Sequence, residues 1–306
     1  MKNKRKKRGR WQQALVLVMV ILFGLALVFS RGQRAARRVS LPASAPQQEQ
    51  PKPDQRPVVH DGATDTGYIH SQQEITEDRM LMNITREQLL GLINPATDQD
   101  FVLIDEAYAS RSGMYLRREA YDAFLDMYQA ARNDGITLTI LSATRNFNHQ
   151  KRIWENKWYG RQSLEGNISA TDIDDPKTRA LEILRFSAMP GTSRHHWGTD
   201  IDVNSLHNSY FETGEGKRVY DWLVRNASRF GFCQPYTQHG NQRQGGYEEE
   251  KWHWSYIPLA SPMLKAYKKH ITYDDLKGFA GWETAEKLQV IKNFVLDINS
   301  DCVPLK

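Results

Sequence analysis

Apolar residues recur along this chain at two different periods, one helical and one extended. Tyr121, Phe124, Leu125 and Tyr128 stand at helical spacing and predict a helix over residues 117–132, ending near Asn133-Asp134-Gly135. Residues 219–230 read as a second amphipathic helix, and Leu288, Ile291, Val295 and Ile298 define one face of a terminal helix over residues 282–298. A short helix opens at Thr85-Arg86-Glu87-Gln88, where the Thr-to-Gln spacing is that of a capping box and Leu89, Leu90 and Leu92 follow. Residues 101–104, 136–141 and 231–236 predict strands, the last followed by a Gly-rich loop over 240–247. Over residues 198–203 the alternation is strict, with Thr199, Ile201 and Val203 facing one way and Asp200 and Asp202 the other. Trp252, Trp254 and Tyr256 alternate likewise with His253, Ser255 and Ile257. Helices and strands mix without βαβ alternation and without an internal repeat, which predicts an α+β fold.

The amino end departs from this pattern. Residues 14–29 form an uninterrupted apolar run preceded by seven Lys/Arg and followed by Arg31, Arg34, Arg37 and Arg38. Such a run is membrane-directed; its 16 residues fit either a cleaved export signal or a retained anchor. The only Ala-x-Ala triplet between the run and the folded domain, Ala43-Ser44-Ala45, lies well beyond the run, which favours a retained single-pass signal-anchor. The excess of basic residues before the run places the amino end in the cytoplasm and the body outside it. Residues 39–73, rich in Pro, Gln and Asp, read as an extended spacer between residues 1–38 and a folded domain over residues 74–306. The expected location is therefore the cell envelope, with a secreted or periplasmic body as the outcome of cleavage.

Charge changes meaning once the amino end is set apart. The first 38 residues hold eleven of the 41 Lys/Arg and no Asp/Glu, so the remainder carries 30 basic against 36 acidic residues. Dispersed basic residues in a net acidic body give no footprint for nucleic acid. Cys233 and Cys302 both fall in the exported part, where a disulfide and two separate buried thiols are each compatible with the spacing. The triplets at Asn83, Asn167 and Asn226 fit the glycan acceptor pattern by composition only.

Candidate chemistry gathers in Ser193-Arg194-His195-His196-Trp197-Gly198-Thr199-Asp200-Ile201-Asp202 and in Glu250-Lys251-Trp252-His253-Trp254. Two imidazoles and a strand carboxylate leave one position of a tetrahedral zinc site open, and a spare carboxylate can serve as base. An ideal strand turns residue 250 away from His253. Either a bulge or bend re-aims Glu250, or Glu249 takes the role. Asp200 shares a face with Asp202 and is the alternative ligand, or a carboxylate that orients a ligand histidine. His196 is expected to line the cleft or pack beside Trp197, and His149 to sit on the first turn of a helix running through Trp154.

These segments resemble the zinc D-alanyl-D-alanine carboxypeptidases of the VanY type. The pattern Ser-x-His-x-x-Gly-x-x-x-Asp followed by Glu-x-Trp-His carries the likeness, and Arg145 with Gln150 five residues later extends it. The resemblance implies a fold like that of the hedgehog domain and the D,D-peptidases, a small antiparallel sheet flanked by helices. It further implies one Zn²⁺ on His195, Asp202 and His253, Glu250 as general base, Arg145 on the oxyanion or the substrate, and Gln150 and Ser193 as substrate contacts. Asp200 stands where the family pattern has Ala. The implied reaction is hydrolysis of the terminal D-Ala-D-Ala bond of peptidoglycan stem peptides. L,D-carboxypeptidase and endopeptidase activities belong to the same fold, and a non-catalytic wall-binding or signalling module is the rival of another class.

Overall fold

A computed structural model describes residues 83–240 and 243–303. The expected membrane segment and spacer lie outside the described residues. Among the described residues no helix is long and apolar enough to cross a membrane.

The fold is α+β. Helix α1 (Arg86–Leu90) opens with the predicted capping box: Thr85 accepts from the Gln88 amide and the Gln88 side chain accepts from the Thr85 amide. Strands β1 (Phe101–Leu103) and β2 (Tyr115–Arg117) form an antiparallel ribbon, and α2 (Arg118–Asn133) follows. A four-stranded antiparallel sheet has the order β3-β4-β6-β5, from Ile140–Ser142, Asp200–Val203, His253–Tyr256 and Phe232–Cys233. Helices α3 (Phe147–Trp158), α4 (Pro176–Leu184), α5 (Gly214–Asn226) and α6 (Ile257–His270) surround it.

The sheet has one apolar and one polar face. Ile201 and Val203 of β4 and Trp254 of β6 pack with Phe124 and Met127 of α2 and Val219 and Leu223 of α5. The opposite face carries Asp200 and Asp202 paired in register with Ser255 and His253. Across it lies a second core that includes Trp197, Tyr236, Tyr247 and Tyr267. The polar face is thus closed in from two sides, which removes water from every charge it carries.

Two expected elements take other forms. The strand over 136–141 pairs only from Ile140 onward, because the Asn204 side chain donates to the Thr137 carbonyl and accepts from the Thr139 amide. The terminal helix over 282–298 is broken into a short helix α7 (Thr284–Lys287) and a wide turn at Ile291–Val295. Gln289, with φ 49°, interrupts it, and the Asn293 side chain caps the Leu288 carbonyl. Leu288, Val295 and Ile298 are nevertheless buried, so the apolar spacing served packing rather than one continuous helix.

Cys233 and Cys302 form a disulfide that ties the end of the chain to β5 across 69 positions. Closing a loop of that length stabilises the fold by about 4 kcal/mol in the chain-entropy treatment. Cys302→Ser is expected to lower the unfolding free energy by that amount, measured by denaturant titration, and reductant should lower the parental protein equally.

Candidate metal and active site

Residues 193–198 reach the polar face as a single tight helical turn held from three directions. Arg117 of β2 donates from Nε to the Trp197 carbonyl at 2.8 Å and from its amide to the Gly198 carbonyl at 2.9 Å. Trp197 Nε1 donates to the Leu89 carbonyl of α1 at 3.2 Å. Gly198 ends the turn at φ 71°, and a Cβ there would stand 2.3 Å from the Phe101 ring, so only glycine lets the chain turn into β4 at this point. His196 is a buried strut rather than a cleft residue. Its Nδ1 donates to the Arg145 carbonyl at 2.5 Å and its Nε2 accepts from the Gly191 amide at 3.0 Å. Burial holds its pKa down to about 3. Gly91, at φ 73°, leaves room for that ring; a Cβ would lie 2.4 Å from its Nδ1.

The same turn delivers His195 to the carboxylates of β4. Its Nδ1 donates to the Ala143 carbonyl at 2.8 Å, which fixes the tautomer and leaves Nε2 as a lone pair. Nε2 stands 3.3 Å from Asp202 Oδ1, and the same oxygen stands 3.3 Å from His253 Nδ1. One donor atom from each of His195, Asp202 and His253 lies within 4.8 Å of the others. All three residues are buried, and neither His195 Nε2 nor Asp202 Oδ1 has a hydrogen-bond partner. Two unpaired acceptors converging in a dry place are costly unless a cation satisfies them, and two imidazoles with one carboxylate suit zinc.

Asp200 faces the same way but is fully engaged. Its Oδ1 accepts from Thr199 Oγ1 at 2.6 Å and Ser255 Oγ at 2.8 Å. Its Oδ2 accepts from Arg194 Nε at 3.1 Å and His253 Nε2 at 2.8 Å. Asp200 therefore holds the far nitrogen of His253 and turns Nδ1 towards Asp202. Arg194, itself stacked 4.7 Å from the Trp197 ring, also donates to Ser255 Oγ at 2.6 Å. Burial alone would raise the Asp200 carboxyl, but Arg194 and His253 keep it far below the usual range.

Glu250 reaches His253 through a turn. The His253 amide donates to the Glu250 carbonyl at 3.2 Å, and Glu250 Oε2 lies 3.1 Å from His253 Nδ1. A turn, not a strand bulge, solves the facing problem. Glu249 instead points towards Lys251, 3.9 Å away. Burial raises the Glu250 pKa against the opposing pull of His253. Burial lowers and the hydrogen bonds to Asp200 and Glu250 raise that of His253, to about 9 overall. Asp202 is pushed up by burial but brought down to about 2, chiefly by His195. Burial and the nearby Arg145 keep His195 neutral.

Of the expected substrate contacts, Arg145 lies close enough to act on the charges of His195, Asp202 and Glu250, while Gln150 and Ser193 are buried. Arg145 Nε is buried without a partner, and Gln150 Nε2 donates to the Ala188 carbonyl at 2.8 Å while its Oε1 is unpaired. Ser193 is buried immediately before the His195 turn. His149 occupies the first turn of α3, where burial and neighbouring arginines lower its pKa to about 4. Sequence reading missed Arg194, Ser255 and Tyr236. The Tyr236 ring centroid lies 4.8 Å from that of His253. Ser255 was detectable, since it shares the alternating face of His253; Arg194 was hidden beside a more conspicuous histidine.

Residues 113–259 match the family described as D-alanyl-D-alanine carboxypeptidase, VanY. Among curated relatives, YodJ of Bacillus subtilis is 25% identical over 272 residues, covering 82% of this chain and 90% of its own length. A D-alanyl-D-alanine carboxypeptidase of Enterococcus faecalis is 31% identical over 152 residues, covering 49% of this chain and 51% of its own. The solved structure of VanYB in complex with D-alanine-D-alanine is 23% identical with a TM-score of 0.42, covering 58% of this chain and 87% of that one. Residues 113–259, which carry the whole histidine, aspartate and glutamate set, form a domain of the VanY family of D-alanyl-D-alanine carboxypeptidases, a family of peptidases.

Proposed function

We propose that this chain is a zinc-dependent carboxypeptidase that hydrolyses the terminal D-Ala-D-Ala bond of peptidoglycan stem peptides, with one Zn²⁺ held by His195, Asp202 and His253. The observation that carries the reading is the pair of buried, unpaired acceptors on His195 and Asp202 beside a His253 turned towards them by Asp200. When bound there, zinc supplies Lewis-acid chemistry that polarises a carbonyl and eases ionisation of water. Glu250 is the group suited to take the proton of the attacking water and hand it to the departing amine, because burial raises its proton affinity. Arg145 presents a fixed donor to the oxygen that gains charge. Gln150 and Ser193 offer polar contacts that orient the peptide end. The charged amino terminus and its apolar run support placement of the body outside the cytoplasm, tethered near the wall it would act on.

Mass spectrometry of muropeptides after digestion tests this reading. Loss of one D-Ala from pentapeptide stems is expected. Loss from tetrapeptides would assign L,D-carboxypeptidase activity, cleavage of cross-links an endopeptidase, and no cleavage at all a binding or signalling module.

Zinc affinity should also depend on pH in a defined way. In the metal-free protein His195 is neutral and Asp202 ionised at neutral pH, so only His253, with its pKa raised to about 9, must release a proton. Affinity is expected to rise by about tenfold per pH unit from roughly pH 7 and to level off above roughly pH 9. Competitive chelator titrations measure this; a flat profile would show that His253 does not lose a proton on binding.

A further inference from the structure

Gln234 follows β5 and is 5% exposed, yet every polar atom of its side chain is engaged. Its Nε2 donates to the Tyr236 carbonyl at 3.2 Å and to the Glu250 carbonyl at 3.1 Å. Its Oε1 accepts at 2.9 Å from the hydroxyl of Tyr220 on α5, a phenol that also lies beside Glu249. The Glu250 amide meanwhile donates to the Tyr236 carbonyl at 2.9 Å. The main chain of Glu250 is therefore gripped at both its N–H and its C=O by residues 234–236. Such restraint matters at this point, because an extended chain would turn residue 250 away from His253.

Gln234 is in turn anchored by a distant segment. The Asn299 amide donates to the Pro235 carbonyl at 2.9 Å, and Asn299 Nδ2 donates to the Gln234 carbonyl at 3.2 Å. Asn299 is itself buried, its Oδ1 accepts from the Asp301 amide at 3.1 Å, and Cys302 is joined to Cys233. Residues 299–302 thus hold residues 233–235 by one covalent bond and two hydrogen bonds, and they lie outside the matched region 113–259. An apolar side chain at 234 would avoid the cost of desolvating an amide; a buried amide with all its bonds made instead fixes one arrangement of its neighbours.

Building on the proposed peptidase reading, we infer that Gln234 is a positioning residue, anchored by Asn299, which holds Glu250 in the turn that directs its carboxylate to His253 Nδ1. It acts through the base alone, and a displacement of about 1 Å in a reacting group costs roughly 10²-fold in rate.

The test is Gln234→Leu in the full chain, with D-Ala release from a pentapeptide stem as the readout. We expect kcat to fall by roughly 10–100-fold, with KM within about twofold and zinc content unchanged. Placed on Glu250→Gln, the same substitution should lower the residual rate by less than about twofold, since no base remains to be aimed. Asn299→Ala stands one residue further back and should lower kcat by roughly three- to tenfold; it carries the test if Gln234→Leu does not fold. Parental kcat per zinc-loaded molecule would overturn the inference, whatever happens to Tm. An undiminished loss on Glu250→Gln would overturn it too, because Gln234 would then serve the fold at large. Failure of the underlying reading is distinguishable: the parental chain itself would release no D-Ala, and this inference would fall with it.

Discussion

Glu250→Gln is expected to abolish turnover while leaving zinc in place. Glutamine keeps the size of the side chain and its place beside His253, but has no affinity for a proton at working pH. Removing a positioned general acid or base costs about 10²–10⁴-fold in rate. Glu250 would serve twice, first taking a proton from water and then giving it to the amine, so the upper end of that range is the expected result. Both observations matter together. Loss of rate with zinc retained assigns the base, whereas loss of both would mean that Glu250 belongs to the metal site through its 3.1 Å contact with His253. Parental rates in the variant would contradict the assignment outright. Glu249→Gln provides the comparison, because that carboxylate points towards Lys251 and should tolerate the change.

Asp202→Ala is expected to release the metal. A full structural zinc site contributes about 10–16 kcal/mol of binding free energy, so one ligand of three or four accounts for roughly 3–4 kcal/mol and a loss of two to three decades in affinity. Asp200→Asn should behave differently. Asp200 accepts four hydrogen bonds and holds His253 Nε2 at 2.8 Å, so its neutralisation leaves the ligand in place but less well oriented and less basic. Outer groups of this kind cost about 10–100-fold in affinity or activity. Zinc titrations of the two variants therefore separate a ligand from the carboxylate behind it. Equal losses would reverse the order argued from the hydrogen bonds.

Much of this site could be read directly from residue order. The alternation from Thr199 to Val203 has period two, so it fixes which side chains share a face, and Asp200 and Asp202 do emerge together opposite Ser255 and His253. The capping box at Thr85 was legible because it is a local interaction between residues three apart. Arg194 was not, since its value comes from Asp200 and Ser255, the latter 61 positions away. The aim of Glu250 depended on a turn that begins before the strand, which an ideal strand pattern cannot express. Strand 136–141 shortened for a similar reason: Asn204, far along the chain, satisfies the backbone at Thr137 and Thr139. The terminal helix failed because apolar spacing reports which residues are buried, and Gln289 breaks the helix without disturbing that burial. The disulfide was undecided in sequence because pairing across 69 positions is a property of the fold.

Crystals of the chain grown with zinc, with anomalous data collected on both sides of the zinc absorption edge, address the central claim most directly. One peak is expected, bounded by His195 Nε2, Asp202 Oδ1 and His253 Nδ1 with Asp200 behind the last. No peak among these three atoms, or a peak held by Asp200 in place of Asp202, would contradict it.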